Sequence, residues 1–159
     1  MNKLNEWLSL IANLSVVAGI VFLGYEINQS TEALDINTAQ ALASEQAEFA
    51  RGFTDPEMAA VLAREDEEGF ESLSAVQKWQ LIGLNNIFLH IHQNSYHQRL
   101  SGNLDEGIWL GQHRGAIASF SQRPSLREHW KSRGIAFSDQ FRRYIEQEVL
   151  PEAVSNASL

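Results

Sequence analysis

The chain opens on a long apolar run and only later takes on the mixed pattern of a globular protein. From Trp7 through Tyr25 there are 19 consecutive residues without a charge, WLSLIANLSVVAGIVFLGY. As a helix rising 1.5 Å per residue, the run covers roughly 28 Å, close to the hydrocarbon thickness of a bilayer. Ten of the 19 are Leu, Ile, Val or Phe. They contribute roughly −3 to −6 kcal/mol to insertion, against penalties from Ser9, Asn13 and Ser15. Trp7 and Tyr25 stand at the ends, where amphipathic rings prefer the headgroup level, and Lys3, Glu6 and Glu26 lie outside them. The pattern predicts a transmembrane anchor within residues 1–27. A cleaved signal peptide fits worse, since the run is long and no A-x-A site follows it. The stronger rival is a core helix of a soluble protein, with Asn13 and the serines as satisfied interior residues.

At 100° per residue, Leu10, Leu14, Val17, Val21 and Tyr25 fall on one side of this helix, a surface suited to acyl tails. Ala12, Ser15 and Gly19 fall on the other, and Asn13 lies on the flank. The spacing of Ser15 and Gly19 lets two backbones approach closely, and Asn13 can hydrogen-bond across an interface, so Ala12, Asn13, Ser15 and Gly19 are the candidate packing residues of a membrane-embedded oligomer.

Beyond Glu26 nothing breaks a helix until Asp55-Pro56, and Leu34, Leu42, Phe49 and Phe53 recur on one face of an Ala-, Glu- and Gln-rich segment. Asp55-Pro56 restarts the chain as a short helix to about Arg64, and Glu65-Asp66-Glu67-Glu68 reads as a solvated connection rather than a cation site. Ser74 and Gln77 form a capping box that opens a core helix rich in Leu, Ile and Phe, ending near Ser101-Gly102-Asn103. The helix that starts at Leu104-Asp105-Glu106 carries Gly107, Gly111 and Gly115 at every fourth position. Each costs about 1 kcal/mol in helix propensity, which predicts close contact with a neighbouring helix as compensation. A helix over 124–133 and a last one capped by Ser138-Asp139 and ending at Leu150, before Pro151, complete an all-α domain over 28–154. The expected architecture is an N-terminal transmembrane helix extending into a compact bundle of about five further helices, with residues 155–159 as a frayed tail.

Charge and composition narrow the function classes. With 20 acidic and 12 basic side chains the formal charge is −8, which disfavours nucleic acid because phosphate binding needs a basic surface. Cysteine is absent, so thiolate chemistry and Cys-ligated metals are excluded. His90, His92 and His97 cluster in sequence, but His90 and His97 share a helix face that His92 does not, and no H-E-x-x-H accompanies them. No G-x-S-x-G and no phosphate loop is present. The sequence therefore nominates no catalytic residue, no cofactor and no metal site. One basic stretch stands out: Arg123, Arg127, Lys131, Arg133, Arg142 and Arg143 face only Glu128 and Asp139 within 123–143. These six are candidate contacts for anionic headgroups at about 1 kcal/mol each, with internal pairing to the acidic helices as the favoured competing account.

Trp7 to Leu14, Val17 to Leu23 and the closing Glu26-Ile27-Asn28-Gln29-Ser30-Thr31 resemble the opening of a widespread family of uncharacterised bacterial proteins with an N-terminal transmembrane helix and a small helical domain. Asp55-Pro56-Glu57, the Leu104-Asp105-Glu106 to Trp109 helix start and Phe137-Ser138 are further matches in kind. The resemblance covers most of the chain and implies a single-pass protein of the bacterial inner membrane, without implying an activity. Relatives of this kind carry Arg where Asn28 stands, which implies a cytoplasmic domain. Counting the charges of this chain, with Lys3 before the span and Arg51 the first basic residue after it, points to the opposite side. The resulting expectation is a membrane-anchored module whose partners are the lipid bilayer and either a second copy or another membrane protein. An oligomeric pore or channel subunit and an enzyme acting on a lipid or small metabolite are the alternatives.

Overall fold

The computed structural model describes residues 3–156, apart from the side chains of Leu4 and Glu6. It is all-α, and no strand occurs among the described residues. The chain divides into two compact units, Met1–Asn37 and Thr38–Leu159. Helix α1 (Lys3–Thr54) supplies residues to both. Its composition explains its length, since neither proline nor a run of turn residues occurs before Asp55-Pro56.

In the second unit the helix starts follow their caps. Asp55 accepts a hydrogen bond from the Met58 amide at 3.0 Å and opens α2 (Pro56–Glu68), with Pro56 where a missing N–H costs nothing. Helix α2 extends through the four acidic residues expected to form a connection. It ends at Gly69, whose φ of +84° suits only glycine. Ser74 and Gln77 form the reciprocal capping box of α3 (Ala75–Leu100). Asp105 caps α4 (Glu106–Gln122) through the amides of Gly107 and Ile108. Helix α5 spans Pro124–Arg133, and Ser138 caps α6 (Asp139–Tyr144) through the Phe141 amide.

The last helix does not stop before Pro151. A π-helical turn, Ile145–Val149, is followed directly by α7 (Leu150–Asn156). The wide turn restarts the helical register at Leu150, so Pro151 falls in a first turn where its missing N–H is tolerated. Ser155 and Asn156, expected as part of a frayed tail, thus belong to α7, while 157–159 lie outside the described residues.

Two apolar clusters hold the second unit together. The larger joins Leu42 of α1 and Leu89 of α3 to Trp109, Phe120, Trp130, Phe141 and Tyr144. The half-buried Tyr96 packs against this cluster and stacks on its Tyr144, with ring centroids 4.7 Å apart. The smaller gathers Val61, Leu73, Leu81 and Leu84, with Phe49 and Phe70 packed against it.

Candidate functional site

In the first unit, the apolar stretch of α1 is bare. Its large side chains are exposed, from 56% at Leu8 to 69% at Leu14. The helix is long and apolar enough to cross a membrane, and none of its most apolar stretch is buried. The polar groups in this stretch are not equivalent. The Ser15 hydroxyl donates to the Ile11 carbonyl at 2.9 Å, so its hydrogen bond is made within the helix. Asn13 borders a shallow apolar groove with Leu10, Leu14 and Val17. It lies on the flank, next to the broad apolar face, whereas Ala12, Ser15 and Gly19 share the opposite face. A Cβ built at Gly19 meets nothing within 4 Å, which leaves that small-residue face open.

The six basic residues of 123–143 are engaged in different ways. The Arg123 guanidinium donates to the Asn85 side-chain carbonyl and lies 5.9 Å from the Phe53 ring centroid. Burial pushes its pKa down, opposed by the carboxylates of Glu65 and Asp66. Arg127 donates to the Phe120 and Ser121 carbonyls, satisfying the end of α4. Lys131 pairs with Glu128 and Arg142 with Asp139, each on its own helix. Arg133 and Arg143 are exposed.

Glu65, expected within a solvated acidic connection, is only 2% exposed. Its carboxylate accepts from the Ser125 amide at 2.7 Å, capping the start of α5 from another helix. Helix α5 has no cap of its own, because Arg123 occupies the position and makes no side-chain bond there. Asn85, fully buried, donates to the Ser125 hydroxyl at 3.2 Å and completes the cluster.

The histidines scatter among separate partners. His92 is buried, with Nε2 at 2.9 Å from the Gln112 backbone carbonyl oxygen. A carbonyl only accepts, so Nε2 carries the proton. Burial pushes the His92 pKa down to about 4, with His113 nearby acting in the same direction. His97 meets the Ser138 hydroxyl at 3.1 Å and His113 meets the Tyr144 hydroxyl at 2.9 Å. His90 lies against Phe137. His129 is buried and its pKa is lowered by that burial, then by Arg133 and His90. Among the described residues no three metal-ligating side chains come together.

The glycine stripe of α4 has a different role from the one its spacing predicts. A Cβ at Gly111 or Gly115 would meet nothing within 4 Å, so no neighbouring helix presses there. Gly107 is close only to its own cap, Asp105, at 3.0 Å. Gly111 and Gly115 instead border a pocket of about 400 Å³ in the second unit. Its apolar wall is formed by Phe49 of α1, Phe88 and Ile91 of α3 and Ile108 of α4. Gln112 and His92 also line it. Gln112 is 9% exposed, yet neither Nε2 nor Oε1 of its amide has a hydrogen-bond partner among the described residues. The glycine spacing was the one sequence signal that marked this place. Gln112 gave none, because a lone glutamine on a helix carries no pattern.

No protein-family model, no curated protein and no solved structure matches the chain.

Proposed function

We propose that this chain is a single-pass, membrane-anchored helical protein whose span associates with a second copy or with another membrane protein. The observation that carries the reading is the bareness of the apolar stretch. A core helix of a soluble protein would be covered by its own chain, and this one has no buried residue in its most apolar part. A contiguous apolar surface of this size, left in water, would aggregate; acyl tails are the environment that fits both its length and its composition all round. Association through the span is supported by the open face of Ala12, Ser15 and Gly19, where the Ser15 hydroxyl is already satisfied and Gly19 leaves room for a second backbone. On the resemblance to cytoplasmically oriented relatives, the helical domain faces the cytoplasm of a bacterial cell.

Carbonate extraction of membranes tests the anchor. The full-length chain is expected in the pellet, and recovery as a monodisperse species in the supernatant without detergent would defeat the reading. Crosslinking in membranes tests association. A dimer band that weakens in Gly19→Leu supports the small-residue face, and an unchanged ladder removes it. A reporter fused to the carboxyl end is expected to be active only when it is a cytoplasmic one.

A further inference from the structure

We propose that α1 pairs in the membrane with α1 of a second copy, side by side and in the same direction, through the seam Asn13, Val16, Ile20, Leu23 and Ile27, and that two Asn13 carboxamides hydrogen-bonded to each other set its register. This pairing rests on the membrane-anchored reading and narrows it: the partner is another copy of this chain, met along one stated side of the span.

Three observations single out this seam. First, Asn13 is stranded. It stands six positions from Trp7, about 9 Å along a helix, so its short side chain cannot reach headgroup water. The Ser15 hydroxyl is satisfied on its own helix, whereas the Asn13 carboxamide has no hydrogen-bond partner among the described residues. A bare amide among acyl tails is costly until something pairs with it. Second, the residues beside it repeat every seven positions. Asn13, Ile20 and Ile27 form one row and Val16 and Leu23 another, the two rows by which a left-handed pair of helices meets. The four apolar members are bare, from 60% exposed at Leu23 to 65% at Ile27. β-branched residues in the first row favour two strands, and a single Asn there fixes the register. Third, small residues border the seam, Ala12 and Gly19 along one edge and Gly24 on the other. A Cβ at Gly19 or Gly24 meets nothing within 4 Å, which lets a second backbone come close.

The identity of the partner follows from Asn13. A carboxamide carries a donor and an acceptor side by side, so its natural complement is another carboxamide. An ionised group would answer only half of it and would itself have to enter the hydrocarbon. Copies inserted with the same topology lie parallel, and a two-fold axis between them brings residue 13 of one to residue 13 of the other at equal depth. A second copy therefore supplies the missing group with no further condition.

The chain has no cysteine, so single introduced cysteines report neighbours cleanly. In membranes holding the full-length chain, Val16→Cys, Ile20→Cys and Leu23→Cys are expected to form disulfide-linked dimers under mild oxidation with copper phenanthroline. They should do so several-fold faster than Leu14→Cys and Val21→Cys, which lie on the broad apolar face. Adding Asn13→Leu to Ile20→Cys should slow dimer formation about tenfold, the effect of losing an interhelical hydrogen bond. Asn13→Gln, which keeps the carboxamide, should slow it less. Leucine favours insertion, so the Asn13→Leu chain should stay in the carbonate pellet, and its lost dimer is then not a lost anchor. The proposal is overturned if the two sets of cysteines crosslink alike, if Asn13→Leu leaves the rate unchanged, or if the seam cysteines capture a different protein in place of a second copy. In each of those cases the anchor still stands, whereas a parent chain recovered in the carbonate supernatant defeats the anchor and the pairing together.

Discussion

At the scale of single residues, the interior of the second unit is organised by polar side chains that act across elements. Glu65 caps α5 and lies near the mostly buried Arg123. Glu65→Ala removes the cap and leaves the guanidinium without its main carboxylate neighbour. A loss of about 2–4 kcal/mol is expected in urea unfolding of the full chain followed by tryptophan fluorescence. His92 acts through its proton balance. Its folded pKa, about 4, lies below the ordinary 6.5, so the unfolded chain takes up a proton first as pH falls. Stability is unaffected above about pH 6.5 and declines from there down to about pH 4, by up to roughly 3 kcal/mol from this group alone. Burial of His129 acts in the same direction. Unfolding curves of the parent at pH 7 and pH 4.5 should differ accordingly, and His92→Gln should flatten the difference. An equal slope in that variant would show that other groups carry the acid sensitivity.

At the scale of elements, α4 invites the next test. If Gly111 and Gly115 were packed against a helix, adding a methyl group would force it away. Because the positions are open, Gly111→Ala and Gly115→Ala should each raise stability by about 0.5–1 kcal/mol, measured as an upward shift of the thermal midpoint. The same elements show what a sequence can reveal. Helix starts at Asp55, Ser74, Asp105 and Ser138 are legible because an N-cap is a local device, settled within three or four residues. The end of the last helix is not legible. Pro151 reads as a stop until the π turn before it resets the register. Nor is the burial of Glu65, because its partner Ser125 is far away in sequence, and a run of four carboxylates conceals which one turns inward. The pocket is half legible: the glycines mark it, but whether a bare stripe is filled by a helix or left open depends on where α1 and α3 lie.

At the scale of the whole molecule, the apolar stretch of α1 is a surface that the chain itself does not cover. If lipid covers it, its insertion is marginal enough to be reversed. The run contributes roughly −3 to −6 kcal/mol, and each lysine placed near its centre costs about 2.5–3.5 kcal/mol. Val16→Lys combined with Ile20→Lys should therefore move the protein from the carbonate pellet to the supernatant or to aggregates, while either change alone should do so only in part. The cap that Glu65 places on α5 also has a consequence in time. A helix that borrows its first acceptor from a residue sixty positions earlier in the chain cannot be completed by local events alone. Helix α2 must dock first, or together with it. Mutations at Glu65 should then speed unfolding and leave the refolding rate nearly untouched, which would place the closure of this contact on the late side of the folding barrier.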